Sequence, residues 1–239
     1  MKAIVCGANG AMGQLILAAL GGDVYKVSLD GMNGVPKTFD ELGAVAADVI
    51  IDFSHHSAVA DVLNYAKAHN MAVVVGTTGH TEEEKALIFE AAKHIPVFYS
   101  GNMSLGIAVL CNLAKQAAAA FPDADIEILE IHHNRKVDAP SGTAKMLFEA
   151  VKEVRPNATA NCGRSGEGKR TKDEIGISAL RMGNVVGIHE VHICTPSQTL
   201  VLRHEAANRA MFADGAVAAA KFLVGKPAGH YNMTHFLEG

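Results

Sequence analysis

The segment Gly7-Ala8-Asn9-Gly10-Ala11-Met12-Gly13 constrains the fold of this chain more than any other. It follows the apolar run Ala3-Ile4-Val5-Cys6 and leads into a helical stretch at 14–20. A chain that passes from strand to helix in so few residues needs glycine for the tight turn and for close helix–strand packing. The same turn suits a dinucleotide: its backbone lets a pyrophosphate approach, and the following helix offers unpaired N–H groups and a positive dipole end. The spacing is Gly7-x-x-Gly10-x-x-Gly13, with Ala8 at the first position of the stricter G-x-G-x-x-G signature.

The rhythm set by this turn continues. Short apolar runs at 24–30, 48–53, 71–75 and 95–99 alternate with helical stretches at 57–69 and 81–93. Thr81 and Glu84 form a capping-box start for the second of these helices. Such alternation predicts right-handed βαβ units and a parallel sheet covered on both faces. The seventeen residues from 31 to 47 leave room for only a small or irregular helix.

Beyond residue 104 the pattern changes. A long helix at 105–121 precedes a strand at 125–133, a helix at about 143–154 and a glycine-rich basic loop at 163–172. Strands are expected at 175–182, 185–194 and 199–205, with Gly183-Asn184 as a two-residue hairpin turn, and a helix at 206–224 closes the pattern. The expected fold is α/β. A Rossmann-type parallel sheet is expected first, followed by an α+β part with a mixed or antiparallel sheet.

Composition excludes several classes. Hydrophobic residues are 49% of the 239 and charged residues 19%, too apolar for a disordered chain. Lys plus Arg number 21 against 25 Asp plus Glu, a net −4, without the basic excess of a nucleic-acid binder. The four cysteines are scattered and no His/Cys set has metal-ligand spacing, so no metal is expected. No apolar run reaches membrane-spanning length and the first residues do not read as a signal peptide; a soluble cytoplasmic protein is expected.

Three further segments are expected at strand ends. Asp30 stands seventeen residues after Gly13, where a carboxylate can accept hydrogen bonds from ribose hydroxyls. Gly31 follows it in place of a cation that would welcome a 2′-phosphate, which favours NADH over NADPH. Gly76-Thr77-Thr78-Gly79 and Ser100-Gly101-Asn102-Met103 end the fourth and fifth strands, at the sheet edge where ligands of such folds lie.

The densest chemistry runs from Glu130 to Ala144, Glu-Ile-His-His-Asn-Arg-Lys-Val-Asp-Ala-Pro-Ser-Gly-Thr-Ala. His132 and His133 close a strand beside the cations Arg135 and Lys136. Ser141, Gly142 and Thr143 start a helix and form a receptor for a carboxylate or phosphate. An anion held there brings a histidine and Lys136 within reach of its reactive carbon, and either can supply a proton.

The run His-His-x-x-Lys-x-Asp-Ala-Pro-Ser-Gly-Thr-Ala resembles the signature of the 4-hydroxy-tetrahydrodipicolinate reductase (dihydrodipicolinate reductase) family. Asp52-Phe53-Ser54, Asn102-Met103-Ser104, Arg181-x-Gly183 and Gly187-x-His189 extend the likeness over nearly the whole chain. The resemblance implies two domains, a dinucleotide-binding domain (1–103 and 213–239) to which the last helix returns and a substrate-binding and oligomerisation domain (104–212), in a cytoplasmic homotetramer. It implies that NADH or NADPH reduces a cyclic imine dicarboxylate in diaminopimelate and lysine biosynthesis. It implies that His132 and Lys136 are the proton-donating pair, and that His133, Ser141, Gly142 and Thr143 bind the substrate's carboxylates. It implies cofactor contacts at Gly7, Ala8, Asn9, Gly10, Ala11, Met12, Asp30, Gly76, Thr77, Thr78, Ser100, Gly101, Asn102 and Met103. Many relatives place Arg where this chain has Ala11 and Gly31. The alternatives are another two-domain NAD(P)-dependent dehydrogenase of a small carboxylate and a non-catalytic NADH-binding sensor. A sensor has no use for a His–Lys pair beside an anion-binding helix.

Overall fold

The structure, a computed structural model, describes residues 1–22 and 24–239. The chain divides into two compact units, Met1–Leu105 with Arg209–Gly239, and Gly106–Asn208.

The first unit is a six-stranded parallel sheet of β1 (Ala3–Cys6), β2 (Val24–Val27), β3 (Val49–Asp52), β4 (Ala72–Val75), β5 (Pro96–Tyr99) and β11 (Gly229–Tyr231), in the order β11-β5-β4-β3-β1-β2. Every residue of β1, β3 and β4 is buried, Asp52 included, as the apolar runs of β1 and β4 predict for strands covered on both sides. Ile4, Cys6, Ile50, Val73, Val75 and Val97 share a core with α3 (Val59–Ala68) and α4 (Glu82–Ala91). Helix α7 (Ala210–Leu223) packs on β3, β4 and β5 and against α1 (Ala11–Leu20). The strand order reverses between β1 and β3, and in open α/β sheets a crevice at such a switch point takes the ligand.

Two local expectations change here. Helix α1 starts at Ala11, three residues earlier than its periodicity indicates, because Gly10 already serves as its N-cap. Strand β2 ends at Val27: the Ser28 N–H donates to Pro36 O (2.9 Å) and turns the chain away, so Asp30 stands in a turn past the strand. The segment before β3 holds a one-turn helix α2 (Phe39–Leu42), as its length allows.

The second unit is a five-stranded mixed sheet of β6 (Asp125–His132), β7 (Thr159–Cys162), β8 (Glu174–Arg181), β9 (Ile188–Thr195) and β10 (Gln198–Glu205), ordered β10-β9-β6-β8-β7. Helices α5 (Leu105–Ala120) and α6 (Gly142–Lys152) cover one face, packing Ile107, Leu110, Leu147 and Val151 on Ile126, Ile128, Ile177 and Val191. The opposite face carries Leu180, 41% exposed, and Val201, 45% exposed.

The expected Gly183-Asn184 hairpin is absent. Strand β6 lies between β8 and β9, parallel to the first and antiparallel to the second. The connection at 182–187 therefore crosses over the carboxyl end of β6, where Asn134 N donates to Gly183 O (3.2 Å). Strands β7 and β11 and the short helix α8 (Met233–Glu238) are additional to the expected elements. The loop at 163–172 has no regular structure, yet Arg170 ties it to Asp125, to the Ile126 carbonyl and to Glu127.

Candidate active site

In the first unit the glycine turn sits against the ends of β2 and β3. Gly7 and Ala8 both donate to Val27 O, at 2.9 and 3.2 Å. Gly7 has φ +76°, and a Cβ there would stand 2.3 Å from Phe53 O, so both its conformation and its surroundings demand glycine. The N-cap Gly10 has no side chain to cap α1, whose first turn contains Ala11 and Met12, so its amino end keeps its attraction for an anion. Beside the turn lies a cavity of about 590 Å³ lined by Gly7, Ser28, Lys37, Thr38, Ser54 and Tyr65. Phe39, Tyr65 and His69 stack in succession, with centroids 4.4 and 4.1 Å apart, and all three line the wall. Turn, helix end and cavity together fit a dinucleotide.

Asp30 is exposed, and its Oδ1 accepts from Asn9 Nδ2 (2.6 Å) and Met32 N (3.0 Å). The Asn9 bond, then the Met32 bond, holds its carboxyl below the usual range, so it is an anion at neutral pH. The neighbourhood of Gly31 is less bare than the sequence indicates. The stem of Lys37 lies over it, with its Cε 2.4 Å from where a Cβ would be. A cation six residues downstream thus enters the space that a basic side chain at position 31 would fill.

The segments after β3, β4 and β5 are fastened internally. Asp52, fully buried, accepts from Ser54 Oγ (2.5 Å) and Thr77 Oγ1 (2.7 Å), while Ser54 N donates to Thr77 Oγ1 (3.0 Å). Burial pushes the Asp52 carboxyl up, against these hydrogen bonds. The Thr77 hydroxyl is thereby engaged inside the protein, whereas Thr78 is exposed and Gly76 half-buried. Ser100 Oγ donates to Asn102 O (2.8 Å), Asn102 Oδ1 accepts from Ser104 N (2.8 Å), Gly101 is exposed and Met103 is buried in the core.

In the second unit the row of β6 that faces the helices reads Ile126, Ile128, Glu130, His132. The apolar core thus becomes a polar site at the carboxyl end of the strand. Glu130 is fully buried and accepts two bonds on each oxygen. Arg181 donates from Nη1 to Oε2 (2.8 Å) and from Nη2 to Oε1 (2.7 Å); His132 Nδ1 lies 2.5 Å from Oε2; Ser141 N donates to Oε1 (2.9 Å). Burial raises the Glu130 carboxyl, but the bonds from Arg181, His132 and Ser141 outweigh it and hold it below the usual range.

Ser141 caps α6, its Oγ accepting from Ala144 N (3.2 Å) and lying 3.1 Å from His189 Nε2. Gly142, exposed, and Thr143, half-buried, form the first turn. Lys136 pairs with Asp138 at 2.8 Å, on the same loop as half-buried His133. Glu130, Arg181 and His189 complete the cluster; they stand in the dense run and in the motifs of the likeness, but nothing in the local sequence announces this role.

His189 and His132 meet edge to face at 5.1 Å. Burial, then the neighbouring His132, lowers His189 to about 4, so it is neutral at pH 7. Between pH 6.5 and 4 the unfolded chain binds a proton at this position that the folded chain refuses, so folding weakens as pH falls. The expected loss is about 3 kcal/mol. Urea unfolding of His189→Gln is expected to lose that much less stability than the parent across the window; parallel curves would exclude this assignment.

Gly187 approaches from the connection at 182–187, and a Cβ on it would stand 3.1 Å from His132 Nε2. His132 can make room only by shifting against its bond to Glu130. Gly187→Ala is expected to fold normally and to lower kcat about tenfold by displacing the ring; an unchanged kcat would show that Nε2 has room to spare.

Two family models match the chain: dihydrodipicolinate reductase, N-terminus, over residues 20–103, and dihydrodipicolinate reductase, C-terminus, over residues 106–237. The curated 4-hydroxy-tetrahydrodipicolinate reductase of Alkaliphilus metalliredigens is 43% identical over 239 residues, covering 99% of each chain. That of Caldanaerobacter subterraneus is 42% identical, covering 98% of this chain and 96% of its own. A dipicolinate-bound dihydrodipicolinate reductase from Paenisporosarcina sp. TG-14 shares the fold at TM-score 0.77 and 24% identity, over 97% of both chains. Among the described residues no helix is long and apolar enough to cross a membrane.

Proposed function

Since the chain belongs to the dihydrodipicolinate reductase family, we propose that it reduces 4-hydroxy-tetrahydrodipicolinate to tetrahydrodipicolinate with NADH or NADPH, as an oxidoreductase of diaminopimelate and lysine biosynthesis. The observation that carries this reading is the histidine held by a buried carboxylate beside the amino end of α6. In net terms the substrate gains one hydride and one proton and loses water. A bound nicotinamide dinucleotide supplies the hydride. The first unit would hold it by the turn from Gly7 to Met12, by Asp30 and by the segments 76–78 and 100–103.

The second unit takes the dicarboxylate. The start of α6 at Ser141, Gly142 and Thr143 attracts one carboxylate through its positive dipole end. Lys136 exchanges its partner Asp138 for the substrate's negative charge, with His133 beside it. His132 delivers the proton to the enamine carbon: its Nδ1 is engaged by Glu130, which leaves Nε2 for the transfer, whereas Lys136 is committed to a carboxylate.

Asp30 favours NADH by accepting from the ribose hydroxyls and repelling a 2′-phosphate. Lys37 offsets part of that repulsion, so NADPH is also accepted. The face of the mixed sheet bearing Leu180 and Val201 is the contact surface of a cytoplasmic homotetramer.

Oxidation of NADH or NADPH in the presence of freshly generated 4-hydroxy-tetrahydrodipicolinate tests the function, and absence of turnover by folded protein would overturn it. The kcat/KM ratio is expected to favour NADH; a tenfold preference for NADPH would reverse the assignment of Asp30. Lys37→Ala is expected to lower kcat/KM for NADPH about fivefold more than for NADH, the effect of about 1 kcal/mol of exposed charge pairing. Light scattering should return four times the 25.1 kDa chain mass, and a monomer would exclude the tetramer.

A further inference from the structure

Glu130 occupies a position that an apolar residue would fill at lower cost. It continues the core-facing row of Ile126 and Ile128 on an internal strand, and none of its surface reaches solvent. A carboxylate is kept in such a place only if its charge is compensated and its oxygens are fully used. Both conditions are met: two donors reach each oxygen, and Arg181 supplies the opposing charge through a bidentate pair.

Arg181 is itself committed. Besides Glu130, its Nη1 donates to Leu180 O (2.7 Å) and its Nη2 to Asp138 O (2.7 Å). Its work is thus directed at the carboxylate and at the loop that carries Lys136.

An ionised carboxylate only accepts hydrogen bonds. The 2.5 Å contact therefore requires the proton on His132 Nδ1. Whether the ring is neutral or charged, that proton stays, and the proton gained and lost belongs to Nε2. The other oxygen of Glu130 accepts from Ser141 N, the N-cap of α6. One carboxylate thereby fixes the tautomer of the histidine and the seat of the helix end that faces an anion.

We infer that Glu130 is a positioning residue of the reaction, holding His132 in the Nδ1–H tautomer and joining it rigidly to the amino end of α6. This rests on the reading of His132 as proton donor. The role differs from that of a structural ion pair, which would act on folding and leave the tautomer and kcat alone.

The test uses the full-length protein with isotope-labelled histidine. Nitrogen chemical shifts at alkaline pH report the tautomer of His132, which His132→Gln identifies among the twelve histidines. The parent is expected to hold the Nδ1–H form. Glu130→Gln is expected to populate both tautomers and to lose roughly 10²-fold or more in kcat, with KM within about threefold. Glu130→Asp retains the charge but withdraws it by one methylene; it guards against a glutamine variant that fails to fold, and the same kcat–KM split is expected. An Nε2–H tautomer in the parent would overturn the inference, as would a folded variant at 130 with kcat within threefold of the parent. The tautomer is read in the free protein, so a failure of the proposed activity would show separately, as absence of turnover by the parent.

Discussion

His132→Gln is expected to lower kcat by roughly 10²–10⁴-fold, the range lost when a general acid is removed. Glutamine suits the experiment because its amide can donate to Glu130 Oε2 in place of the Nδ1–H, so the buried carboxylate stays satisfied. It has no proton to deliver near neutral pH. Stability and nucleotide affinity, the latter measured by fluorescence titration, are expected to match the parent, since the turn, Asp30 and the cavity belong to the other unit. A kcat within a few-fold of the parent would remove His132 from the reaction and leave Lys136 as the proton donor.

Arg181→Met is expected to have the largest effect on folding. It leaves Glu130, 0% exposed, as an uncompensated charge, which costs about 3–5 kcal/mol at neutral pH. The pH dependence carries its own sign. With Arg181 in place the Glu130 carboxyl is held low, so its contribution is present at neutral pH and lost in acid. Without Arg181, burial dominates and raises the carboxyl, so the folded variant takes a proton there more readily than the unfolded chain. The deficit relative to the parent is thus greatest at neutral pH and shrinks toward about pH 5. Urea unfolding at both pH values measures it; a loss below about 1 kcal/mol, the same at both, would show that the pair does not compensate a buried charge.

Most of the parallel sheet was legible because its first five strands and the helices between them declare themselves locally, whereas β11, three residues long, does not. A uniformly apolar run such as Ala72–Val75 suits a strand covered on both faces, and Thr81 with Glu84 forms the capping box that the spacing announces. The mixed sheet was harder to read for a definite reason. Gly183-Asn184 does bend the chain, but a turn fixes a local direction and says nothing about which strand occupies the gap it leaves. Strand β6, fifty residues earlier, fills that gap.

The same limit applies to the site. His132, Lys136 and the Ser141 cap stand within ten residues of one another and were visible together. Glu130 alternates with apolar neighbours and looks like a solvated strand residue until the register of β6 turns it inward. Arg181 and His189 reach the cluster from about fifty residues away, through the pairing of β8 and β9 with β6. Lys37 comes back over Gly31 only because the chain after β2 folds against the cavity wall.

Under the proposed function, the bonds of Asp52 to Ser54 and Thr77 bear on how fast a nucleotide is captured. They are made wholly within the protein and clamp the segments after β3 and β4 together with no help from a ligand. A rim fastened in advance has little left to organise when a molecule arrives, so the entropy of ordering it is not charged to binding. Association at this edge is then governed by encounter and not by loop rearrangement, and differences in affinity between related nucleotides are expressed in how long each one stays.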